Sequence, residues 1–169
     1  GVSITYTAPV PCRIRVGDDG GASELPPANA VVLRQQTSVR YEVLADGERV
    51  GEGTRAEGWL AQPAADGYWV ALGARDFWRN HPAALTAGPN GLGLDLWAGD
   101  EPLPWEGGLA KTWEFVIRLA DEVPGTLETD PVHAAVDPAW VAGTGAVGDL
   151  LPLCAESLAQ IPYWEGHQA

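Results

Sequence analysis

The sequence contains no methionine at all, so we expect the chain to be a processed product or a piece of a longer protein. It also lacks an apolar run long enough for a membrane-spanning helix and the basic start of a signal peptide. Basic residues are scarce, since 10 Lys and Arg stand against 23 Asp and Glu, for a net charge of -13. Such an acidic surface repels phosphate backbones and anionic lipids, so we expect neither nucleic acid nor membrane as a partner.

Cysteine and histidine are also rare. Cys12 and Cys154 are the only cysteines, which permits either a disulfide or two buried thiols. The three histidines are too scattered to form a metal set, and we predict neither a metal nor a cofactor. Calcium is conceivable where aspartates fall in turns, although aspartate is also simply a good turn residue. These positions are Asp18, Asp19, Asp46 and Asp100.

What the sequence does contain is a period of two, in which successive side chains fall on opposite faces of a sheet. The alternation is clear at 2–7, 38–44, 68–74 and 109–119, and we expect the last of these to be a central strand. Asp46-Gly47 predicts a hairpin turn, with one return strand over 49–60, and 17–29 reads as a long loop. About eight strands without interleaved helices predict an all-β fold, an antiparallel β-sandwich, with a barrel as the alternative.

The character of the chain changes after Asp121. Prolines recur there, and one helical pattern, over 150–161, places Leu150, Cys154 and Ile161 on the same face. We therefore predict a sandwich domain over 1–121 and a mostly irregular connector with one short helix over 122–169.

A dense group of polar and aromatic side chains follows the strand pattern at 68–74. In RDFWRNHPAAL, residues 75–85, arginine and asparagine could hold a sugar against a tryptophan face. The competing interpretation is structural, with an Arg75–Asp76 interaction fixing a corner, the aromatic pair plugging the sheet and Pro82 ending a helical turn.

A second group precedes the pattern at 109–119. It contains Lys111, the only lysine of the chain, which could serve a carboxylate or a proton transfer but also suits a solvated strand position. Asp95 and Glu106 could pair as two carboxylates for glycoside hydrolysis, with nothing to fix their separation. The predicted ligand-binding residues are Arg75, Trp78, Arg79, His81, Trp105 and Lys111.

Three stretches in order resemble one known family. They are RYEVLADGERVGEGTRAEGWL, ARDFWRNHPAALTAGPNGLGLDLW and GGLAKTWEFVIRL, followed by DPAWVAGTGAVGDLLP at 137–152. Together they resemble the central β-sandwich domain of the exo-rhamnogalacturonan lyase-like proteins and its connector into a helical toroid.

The resemblance implies an accessory β-sandwich domain of a carbohydrate-active, pectin or rhamnogalacturonan lyase-like protein, because lyase chemistry is expected mainly at the toroid. We therefore expect the chain to be catalytically incompetent alone, with a carbohydrate or the remaining domains of its parent as partner. The substrate class suggests an extracellular setting. Two alternatives stay open at this point: a free-standing carbohydrate-binding module, and a purely structural domain that docks on a neighbour.

Overall fold

The computed structural model describes residues 1–102, 111–127 and 138–145 and confirms the predicted antiparallel β-sandwich. The strands, in chain order, are β1 (Val2–Thr5), β2 (Arg15–Asp18), β3 (Gly21–Glu24), β4 (Val31–Thr37), β5 (Arg40–Ala45), β6 (Glu48–Gly53), β7 (Trp59–Pro63), β8 (Trp69–Ala74), β9 (Ala83–Gly88), β10 (Gly91–Asp95) and β11 (Phe115–Ala120). One sheet has the order β1-β10-β9-β4-β5-β6, and the other has the order β11-β8-β7-β2-β3.

The main core lies between the two sheets and follows from the alternation of each strand. Val31 and Leu33 of β4, Leu85 of β9, and Leu60 and Leu72 of the other sheet are fully buried there. Because buried positions alternate with more exposed ones along β4 and most of β5, each strand presents one face to the core and one to solvent.

The five-stranded sheet buries its outer face as well. Trp59, Ala61, Trp69 and Ala71 form a second apolar cluster there, which Leu127 covers from the chain that follows β11. Since neighbouring residues of β7 and β8 therefore face two different cores, both strands are buried almost throughout. The indole N–H of Trp59, buried in this cluster, donates a 2.9 Å hydrogen bond to the Glu57 carboxylate.

The predicted long loop at 17–29 is wrong, because β2 and β3 form a tight hairpin inside it. The Asp18 carboxylate accepts hydrogen bonds from the Gly20 N–H at 2.9 Å and from the Ser23 hydroxyl at 2.6 Å. The aspartate and glycines that suggested a loop therefore form a two-residue turn. The Asp46-Gly47 hairpin is present as expected, with both residues at positive φ (50° and 87°) between β5 and β6.

Two other strand predictions differ from the structure. The single return strand over 49–60 is in fact β6 and β7, which belong to different sheets and are separated by a loop at 54–58. The strand predicted to be central is β11, which begins only at Phe115 and lies at the end of the strand order. Alternation indicates which face a side chain takes but not which neighbours a strand has.

The chain divides into two compact units, Gly1–Pro131 and Val132–Ala169. In the second unit the described residues form α1 (Pro138–Gly143), whose Trp140 is exposed. The domain boundary predicted after residue 121 stays a prediction, and the helix predicted over 150–161 lies outside the described residues. In the described part, no helix has the length and apolarity that a membrane crossing requires.

Two glycines at positive φ allow the packing of the sandwich to be tested. Gly58 (φ 82°) lies against Phe77, so a Cβ there would collide with the Phe77 Cβ, whereas Gly67 (φ 93°) has open space around it. We expect Gly58→Ala to lower the free energy of unfolding by about 3 kcal/mol or more, from backbone strain and overpacking together.

Gly67→Ala is the matched control, because it adds the same methyl group at the same kind of backbone position. It should lower the free energy of unfolding by about 1 kcal/mol, because it adds backbone strain but no collision. Urea denaturation of both variants measures the difference, and equal losses would contradict the packing of Phe77 on Gly58.

Candidate functional site

The RDFW stretch forms a corner between β8 and β9. A 3-10 turn, Phe77–Asn80, follows the end of β8, and Asp76 before it adopts the left-handed conformation (φ 50°). Phe77 is fully buried and packs on Gly58, while the Ala74 N–H donates a 3.0 Å hydrogen bond to the Gly58 carbonyl. The loop between β6 and β7 is thereby attached to the corner.

A buried glutamine holds the same loop from the other side. The Gln35 amide nitrogen donates to the carbonyls of Thr37 (2.7 Å) and Thr54 (2.9 Å), and its oxygen accepts from the Ala56 N–H (3.1 Å). Because Gln35 is fully buried, these hydrogen bonds are shielded from water and fix the backbone on both sides of Arg55.

Most polar side chains of the corner fix its backbone. The Arg75 guanidinium pairs with Glu114 at 2.6 Å and lies 3.9 Å from Asp76. The Asn80 amide donates to the carbonyls of Arg75 (3.2 Å) and Asp76 (3.1 Å). These contacts agree with the structural interpretation, in which an Arg75–Asp76 interaction fixes the corner.

Trp78 lies at the surface of the corner beside two arginines. The guanidinium carbon of Arg55 is 4.3 Å from the centroid of its ring, and that of Arg79 is 4.9 Å away. Both distances are within the range of cation–π interactions. Arg79 also contacts Asp76 at 3.6 Å, whereas Arg55 makes no hydrogen bond or ion pair with any described residue.

His81 ends the corner. Its Nδ1 lies 3.1 Å from the Trp78 carbonyl, and because a carbonyl only accepts, Nδ1 carries the proton of this hydrogen bond. In the neutral ring the remaining lone pair is then on Nε2.

Of the remaining two predicted site residues, the structure describes Lys111 but not Trp105. Lys111 is exposed, with its Nζ 5.0 Å from the centroid of the Trp113 ring. Trp105 lies outside the described residues. Glu106 does so too, and the suggested pairing of Glu106 with Asp95 therefore stays a prediction. The structure thus brings four of the six predicted residues together at the corner, namely Arg75, Trp78, Arg79 and His81.

Arg55 is the residue that sequence reasoning missed. It lies in GTRAEG, between the glycines at 53 and 58 and inside the stretch predicted as one return strand over 49–60. The stretch RAEGWL did belong to the family resemblance, but nothing in the sequence indicated that Arg55 would contact Trp78.

A second polar cluster lies on the other side of the 54–58 loop. The Tyr41 hydroxyl donates to the Asp19 carboxylate at 2.9 Å, and the Thr54 N–H donates to the same carboxylate at 3.1 Å. These two hydrogen bonds lower the pKa of Asp19. Burial and the neighbouring Asp19 raise the pKa of Tyr41 to about 12, so its hydroxyl stays protonated and donating at neutral pH.

Cys12 is part of the core rather than of a site. It is fully buried and has no disulfide partner among the described residues, while Cys154 lies outside them. Within the part of the chain that the structure describes, no three His, Cys, Asp or Glu side chains are arranged to hold a metal ion. Three of the four turn aspartates, Asp18, Asp19 and Asp46, accept hydrogen bonds, as when Asp46 accepts from the N–H groups of Asn29 and Ala30 at 2.9 Å.

Comparison with known proteins adds no assignment to this geometry. No family model matches the chain, and no curated protein is detectably similar to it in sequence.

The Asp19 cluster predicts a dependence of stability on pH. Because the pKa of Asp19 is lowered in the folded state, its stabilising effect is present above the unfolded pKa of about 3.9 and is lost as pH falls through the folded pKa. Asp19→Asn should therefore destabilise the protein most at neutral pH, with the difference from wild type shrinking in acid.

Urea denaturation at neutral and acidic pH measures this effect. Asp66→Asn serves as the control, because Asp66 is exposed and makes no hydrogen bond or ion pair with described residues. A loss for Asp19→Asn that stayed constant down to the most acidic pH would contradict a role of the ionised carboxylate.

Proposed function

We propose that the chain is an accessory β-sandwich domain of a carbohydrate-active, pectin or rhamnogalacturonan lyase-like protein. In this proposal the domain contributes one binding contact for an acidic sugar, the guanidinium of Arg55 stacked on Trp78, and is not catalytically competent alone. The observation that carries the proposal is that Arg55 lies 4.3 Å from the ring of Trp78 without an ionic partner in the described part of the chain.

The chemistry of arginine supports a carboxylate as the group bound. A guanidinium that lies over an aromatic ring keeps its N–H groups at its edge, where they can donate two parallel hydrogen bonds to one carboxylate. The indole also limits the conformations of the side chain, which lowers the entropy cost of binding. Uronic acids, the acidic sugars of pectin, carry such a carboxylate.

The same contacts argue against the alternative that Trp78 is the platform of a free-standing module for neutral sugars. Such a module would place a tryptophan face against the C–H groups of a sugar. At Trp78, however, the guanidinium carbons of both arginines lie within 5 Å of the ring centroid, at 4.3 and 4.9 Å, and a sugar would have to compete with them for the ring. Tryptophan platforms elsewhere in the chain remain the second candidate, as the sequence suggests for Trp105.

The accessory role is supported by what the other corner residues do. His81 Nδ1 is hydrogen-bonded to the Trp78 carbonyl, Asp76 contacts Arg79, and Asn80 binds two carbonyls. An elimination reaction on a uronate needs a base beside the proton next to the carboxylate and a cation to neutralise the enolate. The corner offers cations, but its carboxylate and amide groups are used to fix the turn, which leaves the Nε2 lone pair of His81 as its candidate base.

Binding can be tested with a short acidic pectic oligosaccharide and its neutral methyl ester. We expect the acidic form to bind and the ester to bind at least about tenfold more weakly, because hydrogen bonds between charged groups contribute about 1.5–3 kcal/mol. Arg55→Ala should cause a similar loss for the acidic form, measured by calorimetric titration.

Arg49→Ala is the matched control, since Arg49 is an exposed arginine of β6 whose ion pair is with Glu52. It should leave binding unchanged. If the ester bound as tightly as the acid, or if Arg55→Ala bound like wild type, the proposed carboxylate contact would be wrong.

Catalysis is tested separately. Incubation of the chain with the same oligosaccharide should give no unsaturated product. Such a product would be detected by its ultraviolet absorbance. Formation of that product by the chain alone would overturn the accessory role.

A further inference from the structure

Asparagine is rare in this chain, and its three copies differ in how their side chains are held. The Asn29 amide donates a 3.1 Å hydrogen bond to the Asp46 carboxylate, and the Asn80 amide donates to two backbone carbonyls at 3.2 and 3.1 Å. Asn90 is exposed, and its side chain makes no hydrogen bond with any residue that the structure describes. The Asn90 amide is therefore free to rotate toward the neighbouring backbone.

The residue after Asn90 is a glycine that the fold requires. Pro89 and Asn90 form the two-residue turn between β9 and β10, and Gly91 begins β10. Gly91 has a positive φ of 120°, and a Cβ at this position would collide with the Ile4 carbonyl oxygen of β1. The fold thus leaves the backbone nitrogen after Asn90 without a side chain to shield it. The other two asparagines are followed by alanine and histidine.

An unheld asparagine before glycine has a known reaction that needs only water. The backbone nitrogen of Gly91 loses its proton to the solvent and bonds to Cγ of Asn90, and the bond from Cγ to the amide nitrogen breaks with release of ammonia. The product is a cyclic succinimide. Water then opens the ring at one of its two carbonyls and leaves either aspartate or isoaspartate, in which the main chain runs through the side-chain carbonyl.

Gly91 lies where two strand ladders end, so ring closure needs only local opening. It forms the last pair of β10 with β9, opposite Gly88, and the last pair of β10 with β1, opposite Thr5. Pairs at the end of a sheet open at a lower free energy than pairs inside it. The backbone at Gly91 therefore reaches the geometry of the attack without unfolding of the whole sandwich.

The same turn holds the chain that follows β1. The Tyr6 N–H donates to the Asn90 carbonyl at 3.2 Å, and the Ala8 N–H donates to the Pro89 carbonyl at 3.1 Å. In isoaspartate the carbonyl that accepts from Tyr6 leaves the main chain and becomes a free carboxylate, and the turn gains one backbone carbon. The aspartate product, by contrast, keeps the main chain as it was.

We infer that Asn90 is a site of spontaneous deamidation through a succinimide with Gly91, and that the isoaspartate product loosens residues 6–8 from the β9–β10 turn. The inference rests on this turn alone and not on the proposed binding of an acidic sugar.

Peptide mass spectrometry of the chain after incubation at mildly alkaline pH tests the modification. Asn90 should gain the mass difference between an amide and a carboxylic acid, while Asn29 and Asn80 in the same sample are the matched controls and should stay amidated. Asn90→Gln should keep its amide, because its longer side chain would have to close a larger ring. No conversion at Asn90, or equal conversion at all three asparagines, would overturn the inference.

Amide hydrogen exchange tests the effect of the isoaspartate product on the fold. Exchange at Tyr6 and Ala8 should be roughly fivefold faster or more in the isoaspartate form than in the fresh protein, which corresponds to the loss of one hydrogen bond. Asn90→Asp is the control, because it carries the same added charge on an unchanged main chain, and it should exchange like the fresh protein. Unchanged exchange in the isoaspartate form, or equally fast exchange in Asn90→Asp, would contradict the loosening.

Discussion

The corner end of this sandwich depends on the contact between Phe77 and Gly58. Phe77 is the buried residue of the 3-10 turn after β8, and it occupies the space that any side chain at position 58 would need. A glycine is required there for a second reason, its positive φ of 82°. Steric exclusion and backbone conformation thus both require a glycine at position 58. This requirement fixes the end of the loop that connects the two sheets.

The position of the candidate site is a consequence of that contact. Residues 54–58 connect β6 in one sheet to β7 in the other, and they are held at one end by Gly58 and in the middle by the buried amide of Gln35. Arg55 lies within this fixed loop, and Trp78 is the residue next to Phe77. The core packing of Phe77 and the stacking of Arg55 on Trp78 are therefore parts of one local structure. This structure gives the guanidinium a defined position without an ion pair to any residue that the structure describes.

The fold class could be predicted from the sequence because alternation is a local property of each strand. Strand order could not be predicted, since pairing depends on residues far apart in the chain. For this reason β11 was expected at the centre of a sheet but lies at its end. The strand β9 was missed because it directly follows His81 and Pro82, and its sequence AALTAG has only small and weakly alternating side chains.

The candidate site was predictable only in part, for the same physical reason. The polar and aromatic residues at 75–81 are contiguous, so their cluster was visible, and their structural role at the corner agrees with one of the two interpretations offered. Arg55 is 23 positions from Trp78 and lies between glycines, where no local pattern marks it. Only the folded chain shows that the arginine and the tryptophan stack.

The central claim is that the Arg55 guanidinium stacks on Trp78, and the NMR resonance of the Arg55 Nε–H group tests it most directly. The resonance is assigned by its absence from the spectrum of the Arg55→Lys variant. Stacking on Trp78 predicts a ring-current shift away from the random-coil position and a further shift when galacturonate is added. A resonance at the random-coil position that does not move with galacturonate would contradict both the stacked guanidinium and its role in binding a carboxylate.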